Sequence, residues 1–148
     1  MQDQKEVINA IEKFCKVIRK LGSKQVIKVL SELYRDNIND YDHKIVDFIK
    51  SETCKAFSIE PESLLKSHAT EEVIICRNMS MVLVKAHLDL THAFISKLFN
   101  KKGHVIVSQA LNDFKNKNPK IKDHKFFLDT YDSINLLVIE YKEKLNNL

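Results

Sequence analysis

Glycine and proline are almost missing from this chain, with two of each in 148 residues, and tryptophan is absent. Sheets joined by tight turns and loops that cradle phosphate both draw on glycine's access to positive φ, so the scarcity points to a mainly helical fold. Gly22 lies in Leu21-Gly22-Ser23 and Gly103 in Lys102-Gly103-His104. Neither belongs to a GxGxxG or GxxxxGK[ST] pattern, which leaves no nucleotide-binding loop to propose. Cys15, Cys54 and Cys76 are odd in number, far apart and without CxxC spacing. A disulfide framework or zinc module is therefore not expected, and the three are read as buried thiols. The opening Met1-Gln2-Asp3-Gln4-Lys5-Glu6 is polar and shows no secretory h-region, so a cytoplasmic location is the expectation.

What is present suits one folded domain or a small domain with an appendage: 44% hydrophobic residues, 30% charged residues and a formal charge of +4. Val7, Ile11, Phe14, Ile18 and Leu21 step by fours and threes, with Ile8 and Cys15 widening the stripe, and Gly22 stops the helix they imply. Ser23 then caps a second helix whose buried face would carry Val26, Ile27, Leu30, Leu33 and Tyr34. After the polar loop 36–40, a third helix from near Asp42 presents Ile45, Val46, Ile49, Ala56 and Phe57. Ser58-Ile59-Glu60-Pro61 opens a turn and a short helical segment to Leu65. A longer helix is expected from Glu71 to Asp89, with Cys76, Met79, Leu83 and Ala86 in register for burial.

The pattern then shortens. Thr91 can cap a helix of barely two turns, His92 to Phe99, before the turn Asn100-Lys101-Lys102-Gly103 and a further helix carrying Val107, Leu111 and Phe114 inward. A short helix, a glycine-containing turn and a second helix make a helix-turn-helix outline. In the C-terminal segment Phe127, Tyr131, Ile134, Val138, Tyr141, Leu145 and Leu148 form a heptad seam. The N-terminal stripe matches it, so the expectation is a monomer in which the two termini pack on each other, favoured over a homodimer.

From Arg77 to Ala110 the chain resembles, without gaps, the C-terminal DNA-binding domain of the bacterial DnaA replication-initiator family. Arg77-Asn78-Met79-Ser80-Met81-Val82-Leu83-Val84-Lys85 resembles its RQMAMxLxK opening; Ile95, Leu98 and Phe99 sit at its IGxxF; Lys102-Gly103-His104-Val105-Ile106-Val107 overlies its RDHTTV signature. The resemblance extends to Ile45–Leu65 and to Leu111 through about Leu137. It implies an all-α, Trp-repressor-like helix-turn-helix domain over 42–148, with 1–41 as a helical appendage. It does not bring the family's ATPase module, because no Walker motif occurs in the sequence.

Residue by residue, the likeness implies a DNA-binding set: Arg77, Asn78, Lys85, Thr91 and Lys101 on phosphates, and Lys102, His104, Val105 and Ser108 near bases. Lys97 joins the cluster at the turn. Lys102 keeps the charge of the family's Arg without its planar fork, Gly103 replaces Asp, and Val105 and Ile106 replace two threonines. In the loop 66–72, Ala69 stands about where the family places a minor-groove arginine, and Glu71 and Glu72 replace bases. Charge is spread thinly, at eight basic and seven acidic residues over 1–43, eleven and eight over 44–118, and five and five over 119–148. The reading is a non-enzymatic protein that binds double-stranded DNA and acts in replication or transcription control. The alternative is an adaptor whose degenerate helix-turn-helix surface binds protein. His68, His87, His92 and His124 have no ligand spacing and Asp129 and Asp132 no catalytic partner, so neither metal, cofactor, catalytic site nor membrane association is expected.

Overall fold

The computed structural model describes residues 2–36 and 38–148, with side chains described outside 31–37. In order it runs α1 (Gln2–Leu21), α2 (Ser23–Asp36), α3 (Asp40–Phe57), a 3-10 turn (Pro61–Leu65), α4 (Glu71–His87), α5 (His92–Leu98), α6 (Val105–Lys115) and α7 (Lys122–Asn146). No strand occurs among the described residues, so the all-α expectation holds. The chain divides into two compact units, Met1–Asn37 and Ile38–Leu148. The division precedes the expected 41/42 boundary because Ile38 and Tyr41 pack against the core of the second unit and Asn39 caps α3, accepting from the Asp42 amide at 2.8 Å.

The second unit is built around α4. An amphipathic helix buries one stripe, but α4 packs on α3, α5, α6 and the 3-10 turn and also meets α7. Met81, Val82 and Val84 are therefore buried beside the expected Cys76, Met79 and Leu83. Ala86, expected inside, is exposed, because the helix leaves the core in its last turn before ending at His87. On α3 the expected Ala56 is also exposed, and Thr53 and Cys54 take the buried positions. The Thr53 and Ser80 hydroxyls lie 2.6 Å apart between α3 and α4, and Ser80 donates to the Cys76 carbonyl, so these buried polar groups have partners. Burial pushes the Cys76 thiol up to about 12 and raises that of Cys54, which keeps both as protonated packing groups. Cys15, by contrast, is exposed on α1, contrary to the expectation of three buried thiols.

The heptad seam of α7 is real but is satisfied inside its own unit. Phe127, Ile134 and Val138 are buried, Tyr141 stacks on Phe48 of α3 at 4.1 Å, and Tyr131 meets Phe114 of α6 at 4.5 Å. Leu148, the last residue of the seam, is fully exposed. Apolar surface for this seam comes from α3, α4 and α6.

In the first unit, Gly22 adopts φ +83 and its amide closes the last turn of α1 on the Ile18 carbonyl at 2.8 Å. α2 then folds back on α1. Of its expected buried face Val26 is buried, whereas Ile27 and Leu30 are exposed; the side chains of Leu33 and Tyr34 lie outside the described residues. α1 contains no buried residue at all.

Candidate nucleic-acid interface

The helix-turn-helix is held at each joint by local chemistry. Thr91 lies in extended backbone before α5, and its hydroxyl oxygen accepts from the Phe94 amide at 3.3 Å, satisfying a donor that the helix cannot. At the far end Asn100 takes the left-handed conformation with φ +57. That reversal lets the Lys101 amide reach the Ser96 carbonyl at 2.9 Å and the Asn100 amide reach Lys97 at 3.0 Å, a Schellman closure. Asn tolerates this region better than other non-glycine residues, which is why the helix can stop without glycine at that position.

Two lysines anchor the joints from neighbouring helices. Lys50 of α3 donates to the Leu98 carbonyl at 2.6 Å, and its ammonium lies 4.8 Å from the centre of the buried Phe99 ring. Burial pushes this ammonium below the ordinary lysine range, with Asp47 opposing the shift. Lys85 donates to the Leu90 carbonyl at 2.9 Å, bracing the link between α4 and α5.

The loop before α4 is tied to the turn. The Lys66 carbonyl accepts from Arg77 Nη2 at 3.1 Å and from Lys101 Nζ at 3.3 Å, while Asn100 Nδ2 donates to the Leu65 carbonyl. Arg77 Nε also donates to the Leu64 carbonyl at 3.0 Å, and the residue is only 3% exposed. Its expected role on a phosphate is corrected here: the guanidinium serves as an internal brace between α4 and the 3-10 turn. The same loop ends at Thr70, which caps α4, and the exposed Glu71 and Glu72 follow in its first turn. Acids there complement the helix dipole, which accounts for them without any ligand.

The second helix begins at Val105, after the turn that ends in Gly103 and with His104 at its N-terminal boundary. Gly103 has φ +76, which favours glycine, and a Cβ added there would meet nothing within 4 Å. Gly103→Ala is therefore expected to cost about 1 kcal/mol through backbone strain alone, measurable by urea denaturation. His104 precedes α6 with φ −108 and ψ −11 and makes no side-chain cap, so its ring is exposed. Lys102 and Val105 are exposed beside it, Val105 at 56%. Ile106, the second residue standing where the family has threonine, instead packs against the core.

Of the remaining expected contacts, Lys101 is half-buried by its tether to Lys66, and Lys97 is exposed on α5. Asn78, Lys85 and Thr91 are half-buried. Ser108 is less available than its helical position implied. Its hydroxyl donates to the His104 carbonyl at 3.0 Å, which leaves His92 Nδ1, also at 3.0 Å, to donate to it. The structure thus brings Lys101, Lys102, His104 and Val105 to one corner and keeps Arg77 inside. Asn100 and Lys50 were not singled out from the sequence. A left-handed Asn at a helix end is a recognisable signal, whereas the reach of Lys50 across to α5 is not written locally.

Residues 46–113 match the family model described as the bacterial dnaA protein helix-turn-helix. The chromosomal replication initiator protein DnaA of Campylobacter jejuni subsp. jejuni (strain 81-176) is 26% identical over 89 residues, covering 60% of this chain and 20% of that protein. DnaA of Oleidesulfovibrio alaskensis is 31% identical over 67 residues, covering 45% of this chain and 14% of that protein. The chain thus spans a fifth or less of the length of these curated relatives.

Proposed function

We propose, from the match of residues 46–113 to the model of the bacterial dnaA protein helix-turn-helix, that this chain binds double-stranded DNA through α6 and acts without catalysis in replication or transcription control. The observation that carries the reading is the exposed corner at the start of α6, where Lys102, His104 and Val105 project from a turn locked by the Thr91 cap and the Schellman closure at Asn100. In the major groove His104 and Lys102 would reach base edges and Val105 a thymine methyl, with Ser108 contributing its remaining acceptor capacity. Lys97, Lys101, Lys85, Asn78 and Thr91 would position the backbone, Thr91 with the hydroxyl proton that its capping role leaves free. No described helix is long and apolar enough to cross a membrane, and a membrane partner forms no part of this reading.

Lysines at 85, 97 and 101 make about three phosphate neutralisations available, so log K against log salt should fall with a slope of about −2 to −3. Lys101→Gln should flatten that slope by about one and weaken binding uniformly across sequences, whereas Lys102→Gln should also relax discrimination between sequences. Absence of binding to duplex DNA at low salt would overturn the proposal. It would favour the second reading, an adaptor surface that binds protein, which the exposed Val105 and the loss of hydrogen-bonding readers at Gly103 and Val105 also suit.

A further inference from the structure

The first unit cannot account for its own apolar surface. Its 37 residues fold as two helices with Val26 as the one buried hydrophobic residue among the described side chains. Units of this size rarely hold a fold alone without a metal, a disulfide or a partner chain. Val7, Ile11, Phe14 and Leu21 are all 42–57% exposed, although they follow the 4-3-4-3 steps of a helix-packing seam through Ile18. The flanking Ile8, Ala10, Cys15 and Val17 widen this seam to about half of the α1 surface, more than one neighbouring helix can cover. α2 adds exposed Ile27, Val29 and Leu30.

We propose that this helical hairpin is a self-association surface, in which two copies of the chain pack α1–α2 against α1′–α2′ as a four-helix bundle. The exposed apolar side chains of α1 and α2 offer roughly 800 Å² per copy, the contribution that each partner makes to a standard-size interface. The heptad spacing is what helix-on-helix packing requires, and a lipid surface imposes no such register. Asp3, Glu6 and Glu12 lie among the basic residues of α1, which favours a protein partner over an anionic membrane. The α7 seam cannot serve instead, because Phe127, Ile134 and Val138 are already buried within the second unit. A dimer would carry two copies of the helix-turn-helix, but its formation does not depend on what that motif binds.

Sedimentation equilibrium of the full chain from about 1 to 100 μM, spanning the micromolar affinities of modest interfaces, tests this. The expected result is a reversible species of twice the 17.2 kDa chain mass. Ile11→Asp with Phe14→Asp should raise the dissociation constant at least roughly a hundredfold, because two seam positions are lost in each copy. The melting of the second unit should stay unchanged, since its core is built from its own residues. A mass of 17.2 kDa at every concentration would overturn the proposal, as would a double variant that remains dimeric. Flotation of the monomeric chain with phosphatidylglycerol vesicles would assign the stripe to a membrane surface instead.

Discussion

Phe99→Ala is expected to destabilise the second unit by about 3–5 kcal/mol, the usual cost of truncating an enclosed aromatic ring. Phe99 is fully buried and stands where α5 closes, so its ring fixes the angle at which the chain enters the turn. Its loss opens a cavity beneath the helix-turn-helix and removes the aromatic face beside which the Lys50 ammonium is held. Lys50 would keep its bond to the Leu98 carbonyl but lose part of the environment that compensates its desolvation. In a thermal melt the loss should exceed about 10 °C for a unit of this size. The altered corner should also weaken DNA binding at temperatures where the variant is still folded. A shift of only a few degrees would mean that the α5 joint does not depend on this ring.

Arg77→Met separates a brace from a DNA contact. The substitution keeps an unbranched apolar stem but removes the donors to the Leu64 and Lys66 carbonyls. Charged hydrogen bonds of this kind contribute about 1.5–3 kcal/mol each, and Lys66 retains a donor from Lys101, so a net loss of about 3 kcal/mol is expected. Denaturant titration measures it. The salt slope of DNA binding by the folded variant should remain that of the parent chain, because a guanidinium 3% exposed releases no phosphate counterion. A slope flatter by about one would return Arg77 to the phosphate-contacting set.

The helix-turn-helix was readable because its signals are local. Thr91 before a short apolar-periodic run, a glycine in the following turn and inward Val107 after it mark positions within one or two helical turns, and the structure keeps them. The same holds for the end of α1 at Gly22 and for the short segment Pro61–Leu65. Burial on α4 was less legible. A helix that meets neighbours on most sides does not display one stripe, so Met81, Val82 and Val84 were missed and Ala86 was misplaced. Ala56 failed for a related reason, because the last turns of α3 rotate that position away from the packing surface.

Among the candidate contacts, the outward positions Lys102, His104 and Val105 follow from sequence order alone, since they flank the start of a helix whose inward residue is Val107. Arg77, Lys85, Lys101 and Ser108 depend on what lies across from them. Each carries a polar group that bonds a backbone carbonyl, Leu64 and Lys66, Leu90, Lys66, and His104 respectively, and only Arg77 is buried by it. Residue order and spacing were enough for the helix class, the element order and the corner at the start of α6, because propensity, capping and positive φ act within a few residues. The enclosed position of α4, the internal role of Arg77 and the covering of the α7 seam by α3 were decided only by tertiary packing, because burial and long-range hydrogen bonding depend on elements tens of residues away.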